Sequence, residues 1–419
     1  MTKPLRVLVE ARLERGSSGG VETVLQGLTR GLGDISDQEH TFLVRTGDEV
    51  DWLTTSIGTN GRVLHGPEPG WSASRVLARP GGRSLAERFP SALDRARVLR
   101  WRGAAELARL GIGSVLDSAD VDTAPFDVVH FPFQHGFRTT TPSVFQPHDL
   151  QHLHLPEFFS AGERARRTVV YRALCAQASR IVVGTQWVAQ DLERQWAVPP
   201  SKVRVVNLAP LVRKTADDDG VNRLRLPGHF AYYPAATWPH KNHVRLLDAL
   251  AELAAGGVII PLVLTGQHTV DQPGLARHAA RLGISDHVRF LGFVSDDIVA
   301  GLYERARLVV VPTMFESASF PIWEAFSACV PVACSTVTSL PEQVGDAAVL
   351  FDAQNSHGMA RAIHQAWVDE RLRDRLITAG QKRLQRLSWH QTALQTADAY
   401  REAVGLEPRS ATAASPPVL

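Results

Sequence analysis

Short apolar runs rich in β-branched residues alternate along the chain with stretches whose apolar positions recur at helical spacing. In the first half the runs are Leu5–Val9, Thr41–Val44, Val128–Phe131, Ser143–Gln146 and Arg180–Gly184. In the second half they are Phe230–Tyr233, Pro261–Thr265, Val288–Leu291, Leu308–Val311 and Pro331–Cys334. Most are apolar on both faces, as strands are when helices cover a parallel sheet on both sides. Two such strand–helix series predict an α/β protein with two doubly wound sheets.

A polar segment, Arg213–Gly228, interrupts the alternation and carries Asp217, Asp218 and Asp219 in a row. Clustered carboxylates can chelate Mg²⁺, but no strand ends at this cluster, so a hydrated linker is the stronger expectation. Two other segments stand apart from the alternation. Gly66–Gly113 holds an irregular Pro/Gly stretch and then an Arg-rich helix with Val98, Leu99 and Trp101 interleaved. Such a helix suits either an ordinary surface or an anionic membrane face. The tail after Glu407 has the small, polar, Pro-rich composition of disorder.

Composition narrows the function. The 419 residues hold 45 Lys+Arg and 43 Asp+Glu, a balance unsuited to holding nucleic acid mainly by phosphate neutralisation. The three cysteines, Cys175, Cys329 and Cys334, make no disulfide framework and suit a reducing, cytoplasmic compartment. No apolar run approaches the roughly 20 residues that span a bilayer. The opening MTKPLRVLVEA passes directly into a strand and does not read as a signal peptide.

Four loops carry candidate chemistry. After the first strand, Gly16, Gly19 and Gly20 precede a helix and permit close approach of backbone to a phosphate. A tight turn explains that loop equally well. After SVFQ comes a polar cluster with His148, Asp149, His152 and His154. His148, at the strand end, is the expected ligand contact, and His152 and His154 the expected structural groups. The histidines' spacing and the lack of nearby Cys or carboxylate motifs argue against zinc.

After FAYYP, Lys241 lies between His240 and His243 at a helix start, with Asn242 as the expected N-cap. The helix dipole disfavours a cation there, and an anionic ligand would remove the conflict. After LVVVP, Glu316 and Glu324 flank Ser319, Phe320 and Pro321, where Ser319 is the expected cap of a helix. Glu316 then belongs to the loop. Glu324 sits near the helix N-terminus, where the dipole favours a carboxylate able to accept from a diol.

GGVE (Gly19–Glu22), HDLQH (His148–His152), WPHKNH (Trp238–His243), VRFLGFVSDD (Val288–Asp297) and FESASFPIWEAF occur in order. SLPEQVGDAAVLF and a closing LSWHQTALQTADAYRE follow. Together they resemble glycosyltransferase family 4 over nearly the whole chain. The resemblance implies a GT-B architecture of two Rossmann-like domains facing across a cleft. The domain organisation it suggests is 1–212, a 213–228 linker, 229–386, a 387–406 helix returning to the first domain, and a 407–419 tail. It further implies a retaining, metal-independent enzyme with no cofactor, whose co-substrate is a nucleotide-diphosphate sugar.

By the same resemblance Glu324 would hold the donor ribose, Glu316 the transferred sugar and Lys241 the diphosphate. His148 would contact the sugar, and the backbone at Gly19 and Gly20 the phosphates. Gly292–Val294, with Phe293 at its centre, would meet the base. His240, Ser319 and Phe320 complete the expected donor contacts.

Three departures from the family's pattern stand out. Ala236 and His240 occupy places where an arginine is common, and Ser319 and Cys329 replace common glycines. The resulting expectation is a bacterial surface-polysaccharide transferase, mannosyl or rhamnosyl, with a GDP-mannose-type donor favoured over UDP or dTDP sugars. Its acceptor would be a glycan or a lipid-linked molecule, with peripheral contact at the inner membrane face and no nucleic acid partner. The alternatives are a catalytically silent GT-B partner subunit and a sugar-nucleotide epimerase.

Overall fold

The computed structural model describes residues 3–13, 19–47, 50–58, 60–67, 90–109, 114–118, 120–210, 216–267, 269 and 271–409. Gly16, most of the Pro/Gly stretch beyond Gly66, the start of the expected linker and the tail beyond Arg409 lie outside them. The chain divides into two compact units. Among the described residues, the first runs to Leu208 and resumes at Trp389, and the second is Ala209–Ser388.

The first unit holds β1 (Leu5–Glu10), β2 (Gln38–Arg45), β3 (Gly61–Gly66), β4 (Val128–Phe131), β5 (Ser143–Phe145), β6 (Arg180–Val183) and β7 (Val203–Val205). They form one parallel sheet in the order β3-β2-β1-β4-β5-β6-β7. Alternation of side chains along each strand sorts the core into two layers. Leu8, Leu43, Val129, Phe131, Phe145, Ile181 and Val183 join one buried cluster with Trp101, Tyr171, Leu174 and Leu192. Their neighbours Val7, Val9, Phe42, Val44, Val128, Val144 and Val182 join another with Leu25, Leu28, Ala393, Ala397 and Tyr400.

The last three residues of that second layer come from the helix Trp389–Ala403, which packs on the helix Gly19–Leu32. Close approach demands missing side chains. A Cβ at Gly31 would lie 2.3 Å from the Trp389 carbonyl oxygen, and one at Gly27 would overlap the Trp389 ring. Arg180 and Arg204 pair with Glu402, adding charge contacts along the same helix.

The second unit holds β8 (Ala231–Pro234), β9 (Leu262–Thr265), β10 (Val288–Gly292), β11 (Leu308–Val311), β12 (Val332–Ser335) and β13 (Ala348–Phe351). All pairings are again parallel, in the order β10-β9-β8-β11-β12-β13. In each sheet the chain order reverses once, between β1 and β4 and between β8 and β11. Loops leaving the carboxyl ends of strands at such a reversal diverge and leave a crevice for ligands.

Part of the expected linker is structured. Asp218–Arg223 is a short helix with Val221 buried, and it packs on the helix Asp296–Arg305. Asp217 caps it by accepting from the Gly220 N–H, and Asp218 pairs with Arg305 at 2.6 Å. These bonds account for two of the three aspartates structurally.

The Arg-rich helix is Pro90–Arg109. Trp101 turns into the core rather than outward, while Leu99 is 72% exposed.

Candidate active site

The loops after β8 and β11 meet through backbone. Met314 N–H donates to the His240 carbonyl at 2.7 Å, and the Thr313 hydroxyl donates to the same oxygen at 3.2 Å. The Tyr233 hydroxyl donates to the Lys241 carbonyl at 3.2 Å. Between β8 and the helix His243–Ala255 the chain makes a 3-10 turn, Pro239–Lys241, and then a left-handed residue, Asn242 at φ 63°. Asn242 stands at the N-cap but makes no side-chain cap bond, contrary to the expectation. Its Nδ2 donates instead to the carbonyls of Pro312 and Ala353, at 2.9 and 2.8 Å, so it fastens this loop to the neighbouring ones.

The consequence is a direct contact between two predicted residues. Lys241 Nζ lies 2.8 Å from Glu316 Oε2, each side chain mostly buried. The lysine is therefore neither turned to water nor unpaired: a carboxylate compensates it. Glu316 is itself fixed by the loop after β12. Its N–H donates to Thr338 Oγ1 at 3.1 Å, and its carbonyl accepts from the hydroxyls of Thr338 and Ser339.

Helix Phe320–Ser327 follows, with Pro321 in its first turn and Ser319 at the N-cap position. Here too the expected cap differs in detail. The Ser319 hydroxyl makes no cap bond, and its oxygen is buried without a partner among the described residues. The Ser319 backbone is gripped by one side chain: Gln343 Oε1 accepts its N–H at 2.8 Å and Gln343 Nε2 donates to its carbonyl at 2.7 Å.

One turn into the helix, Glu324 Oε2 accepts from the Tyr303 hydroxyl at 2.7 Å. Tyr303 is buried edge-on against Tyr232, and Phe320 lies edge-on against Trp323. On the far side of β8, a Cβ at Gly266 (φ 125°) would come within 2.6 Å of the Ala235 backbone, so the loops after β8 and β9 touch. Gly266 N–H donates to the Gly292 carbonyl at 2.9 Å, and the next residue, Phe293, is 85% exposed.

His240 is held near pKa 3, first by burial and then by the charges of Lys241 and His243. It is neutral at pH 7 and does not replace the arginine common at that place. The local cation is Lys241.

In the first unit, Gly19 and Gly20 open the helix Gly19–Leu32. His148 has φ 62°, and its Nε2–H donates to the Pro132 carbonyl at 2.8 Å. Burial lowers its pKa to about 4. With Nε2 as the donor, Nδ1 carries the lone pair and has no partner among the described residues. His152 bonds Thr168 at 3.2 Å and His154 bonds Asp191 at 2.8 Å, the structural roles expected of them.

Tyr303, Gln343 and the Glu10–Arg12 pair were not anticipated. Tyr303 and Gln343 position the second-unit groups. In the first unit, Glu10 ends β1, and Arg12 binds it through Nε at 2.9 Å and Nη2 at 2.6 Å, with Asp120 at 3.0 Å from Nη1. A charged residue closing an apolar strand, with an opposite charge two positions on, was the signal for that pair. Among the described residues, no group of three or more His, Cys, Asp or Glu is placed to hold a metal.

Comparison with known proteins follows the same two-part division. Residues 18–208 match the family described as Glycosyltransferase Family 4, and residues 217–383 match Glycosyl transferases group 1. The O-antigen chain mannosyltransferase B of Escherichia coli is 34% identical over 173 residues, 41% of this chain and 45% of that protein. A D-inositol 3-phosphate glycosyltransferase of Streptomyces bingchenggensis is 29% identical over 258 residues, 58% of this chain and 57% of that one. The chain thus spans about half the length of these curated relatives.

Among solved structures, sucrose-phosphate synthase from Thermosynechococcus elongatus superposes with TM-score 0.66 at 19% identity, covering 95% of this chain and 98% of its own. HepE from Anabaena, solved in complex with UDP and glucose, gives TM-score 0.64 at 19% identity over 95% and 100%. At such identity these structures speak for the fold alone. Two reversing parallel sheets, one within each matched glycosyltransferase region, make this chain a family 4-like glycosyltransferase with the GT-B fold.

Proposed function

We propose that the protein is a retaining glycosyltransferase moving a hexose from a nucleotide-diphosphate sugar to a hydroxyl of a glycan or lipid-linked acceptor. The observation that carries this reading is the Lys241–Glu316 pair at the β8/β11 reversal, with Glu324 on the helix that follows. Breaking the anomeric C–O bond leaves its electron pair on a diphosphate oxygen and positive charge on the sugar. A preorganised ammonium beside the first and a carboxylate beside the second stabilise both. Glu324, favoured as an anion by the helix dipole, accepts the ribose hydroxyls.

The acceptor hydroxyl then bonds to the anomeric carbon from the face the diphosphate leaves, and its proton passes to the departing phosphate oxygen. His148, neutral with Nδ1 as acceptor, contacts the sugar, while Gly19 and Gly20 approach the phosphates. Phe293 and its neighbours meet the base, and Ser319 and Phe320 complete the donor contacts. No metal or cofactor takes part, so turnover is expected to survive EDTA.

A GDP-mannose-type donor is favoured because the E. coli relative bears the name mannosyltransferase. The Anabaena neighbour's UDP and glucose support a UDP sugar as the alternative. Calorimetry with GDP and UDP tests the reading. One of them should bind, and Glu324→Ala should weaken it at least about tenfold, the loss of one charged hydrogen-bonding partner. Unchanged affinity would refute the ribose role.

The helix Pro90–Arg109 presents Leu99 and Leu107 outward among Arg95, Arg100 and Arg102, which suits a peripheral contact with the cytoplasmic face of an anionic membrane. No described helix is long and apolar enough to cross a membrane. Co-sedimentation with anionic vesicles at low salt is the expected result, and its absence would remove the contact.

A silent partner subunit is the second reading, favoured by Ala236 and the neutral His240 where arginine is common. Absence of hydrolysis or transfer across a panel of sugar nucleotides would favour it.

A further inference from the structure

A cavity of about 430 Å³ opens at the amino-terminal edge of the second sheet, where the chain enters β8 and β11. Lys241 and Glu316 follow the opposite, carboxyl-terminal ends of those two strands. Four arginines from three segments line the cavity: Arg225, then Arg305 and Arg307, and Arg373, with His229 beside them and Glu304 as the one carboxylate among the described lining residues.

Their existing partners do not absorb this charge. Arg305 is accounted for: it ends a helix, where the dipole favours a cation, and it bonds Asp218 and Asn222. Arg307 and Arg373 share a single carboxylate, Glu370, which is largely exposed to solvent. Arg373 also donates to the Arg307 backbone carbonyl at 2.5 Å, which ties its side chain to the segment that carries Arg307. Burial, and then the charge of Arg307, lowers the pKa of Arg373. Arg225, at φ 50°, donates its backbone N–H to the Asn222 carbonyl at 3.1 Å, and its guanidinium makes no hydrogen bond or ion pair among the described residues.

We infer that this cavity is a second anion site, taking a small phosphorylated molecule between Arg225, Arg307 and Arg373. A guanidinium fork matches phosphate oxygens two at a time, and charge-assisted bonds of this kind are about twice as strong as neutral ones. The volume exceeds what a single phosphate fills, so a diphosphate or a phosphorylated sugar fits the class. The inference concerns the end of the sheet away from the proposed donor site and does not rest on the transferase reading.

The test is calorimetry of the full chain with inorganic pyrophosphate at constant ionic strength, in a Lys241→Met background that silences the other candidate phosphate site. Binding should persist in that background and weaken about tenfold in Arg373→Gln and again in Arg225→Gln. Arg225→Gln is the safeguard against misfolding, because the Arg225 guanidinium has no bond to lose among the described residues and its backbone bond to Asn222 is kept. Loss of all binding in Lys241→Met alone would overturn the inference by assigning the anion to the donor site. So would affinity indifferent to both arginines, or no binding of pyrophosphate at all.

Discussion

Glu316→Gln should tighten nucleotide-diphosphate binding while slowing transfer. Lys241 is neutralised by Glu316 at 2.8 Å, with 22% and 16% of the two side chains exposed. Unit charges at that separation attract by about 6 kcal/mol at an effective dielectric of 20. Solvent access and desolvation reduce the net value to about 1.5–3 kcal/mol, the usual range for a hydrogen bond to a charged group. A diphosphate approaching Lys241 must compete with that interaction and with the repulsion of the carboxylate.

Replacing the carboxylate by an isosteric amide removes both obstacles, so GDP or UDP should bind about tenfold to a hundredfold more tightly. Transfer from the matching sugar nucleotide should fall, because the amide offers no charge to the developing cation. Calorimetry of wild type, Glu316→Gln, Lys241→Met and the double variant measures the coupling directly. If Glu316→Gln weakens nucleotide binding by the same factor as Lys241→Met, the competition is wrong and the pair is only a structural tie.

Three further outcomes are expected. Gln343→Leu strips both bonds from the buried Ser319 backbone, and at about 1–3 kcal/mol for each unsatisfied group it should lower urea stability markedly and impair donor binding. Gly31→Ala should destabilise by about 1–3 kcal/mol or more because its Cβ meets the Trp389 carbonyl at 2.3 Å, whereas Gly103→Ala, with open space around it, should be neutral or stabilising. Stability should also fall as pH is lowered. Burial holds His40 and His152 near pKa 4 and His130 near 3, below the ordinary value, so the unfolded chain binds more protons between about pH 6.5 and 4. Each such group should cost roughly 2 kcal/mol between pH 7 and 5, and urea midpoints that do not move over that interval would contradict it.

The strands that could be read were those apolar on both faces. Ten of the observed strands coincide with such runs, and the three that do not, β3, β7 and β13, are all sheet edges. Half-exposed sequences such as GRVLHG and VRV lack the double-sided apolar run, because an edge strand buries less of itself. The returning helix shows the other limit. Trp389, Ala393, Ala397 and Tyr400 have a helical period, but Trp389 and Ala393 are received by Gly27 and Gly31, hundreds of residues earlier in the chain, and Tyr400 by His130. Periodicity within a helix says which face is apolar and not which surface will receive it.

The same asymmetry governs the candidate site. Lys241, Glu316 and His148 stand out as candidates because a charged or titratable residue in the loop after an apolar strand sits where open α/β sheets bind ligands, and Glu324 because it lies near a helix start after such a loop. What fixes each was not legible. Glu324 takes its bond from Tyr303, on the preceding helix, and Ser319 is held by Gln343, which lies beyond the next strand. Asn242 was read as a cap from its position, yet the left-handed backbone turns its amide toward Pro312 and Ala353. A local rule pairs a side chain with the nearest free backbone group. A crossover loop at a sheet reversal instead offers donors and acceptors from several chain segments at similar distance, and the tertiary partners win. Chemistry that depends on which atoms are present can therefore be proposed from sequence, whereas chemistry that depends on pairing needs the fold. Whether Lys241 meets a diphosphate as a free cation or as half of an ion pair belongs to the second kind, and it changes the sign of the effect expected from removing Glu316.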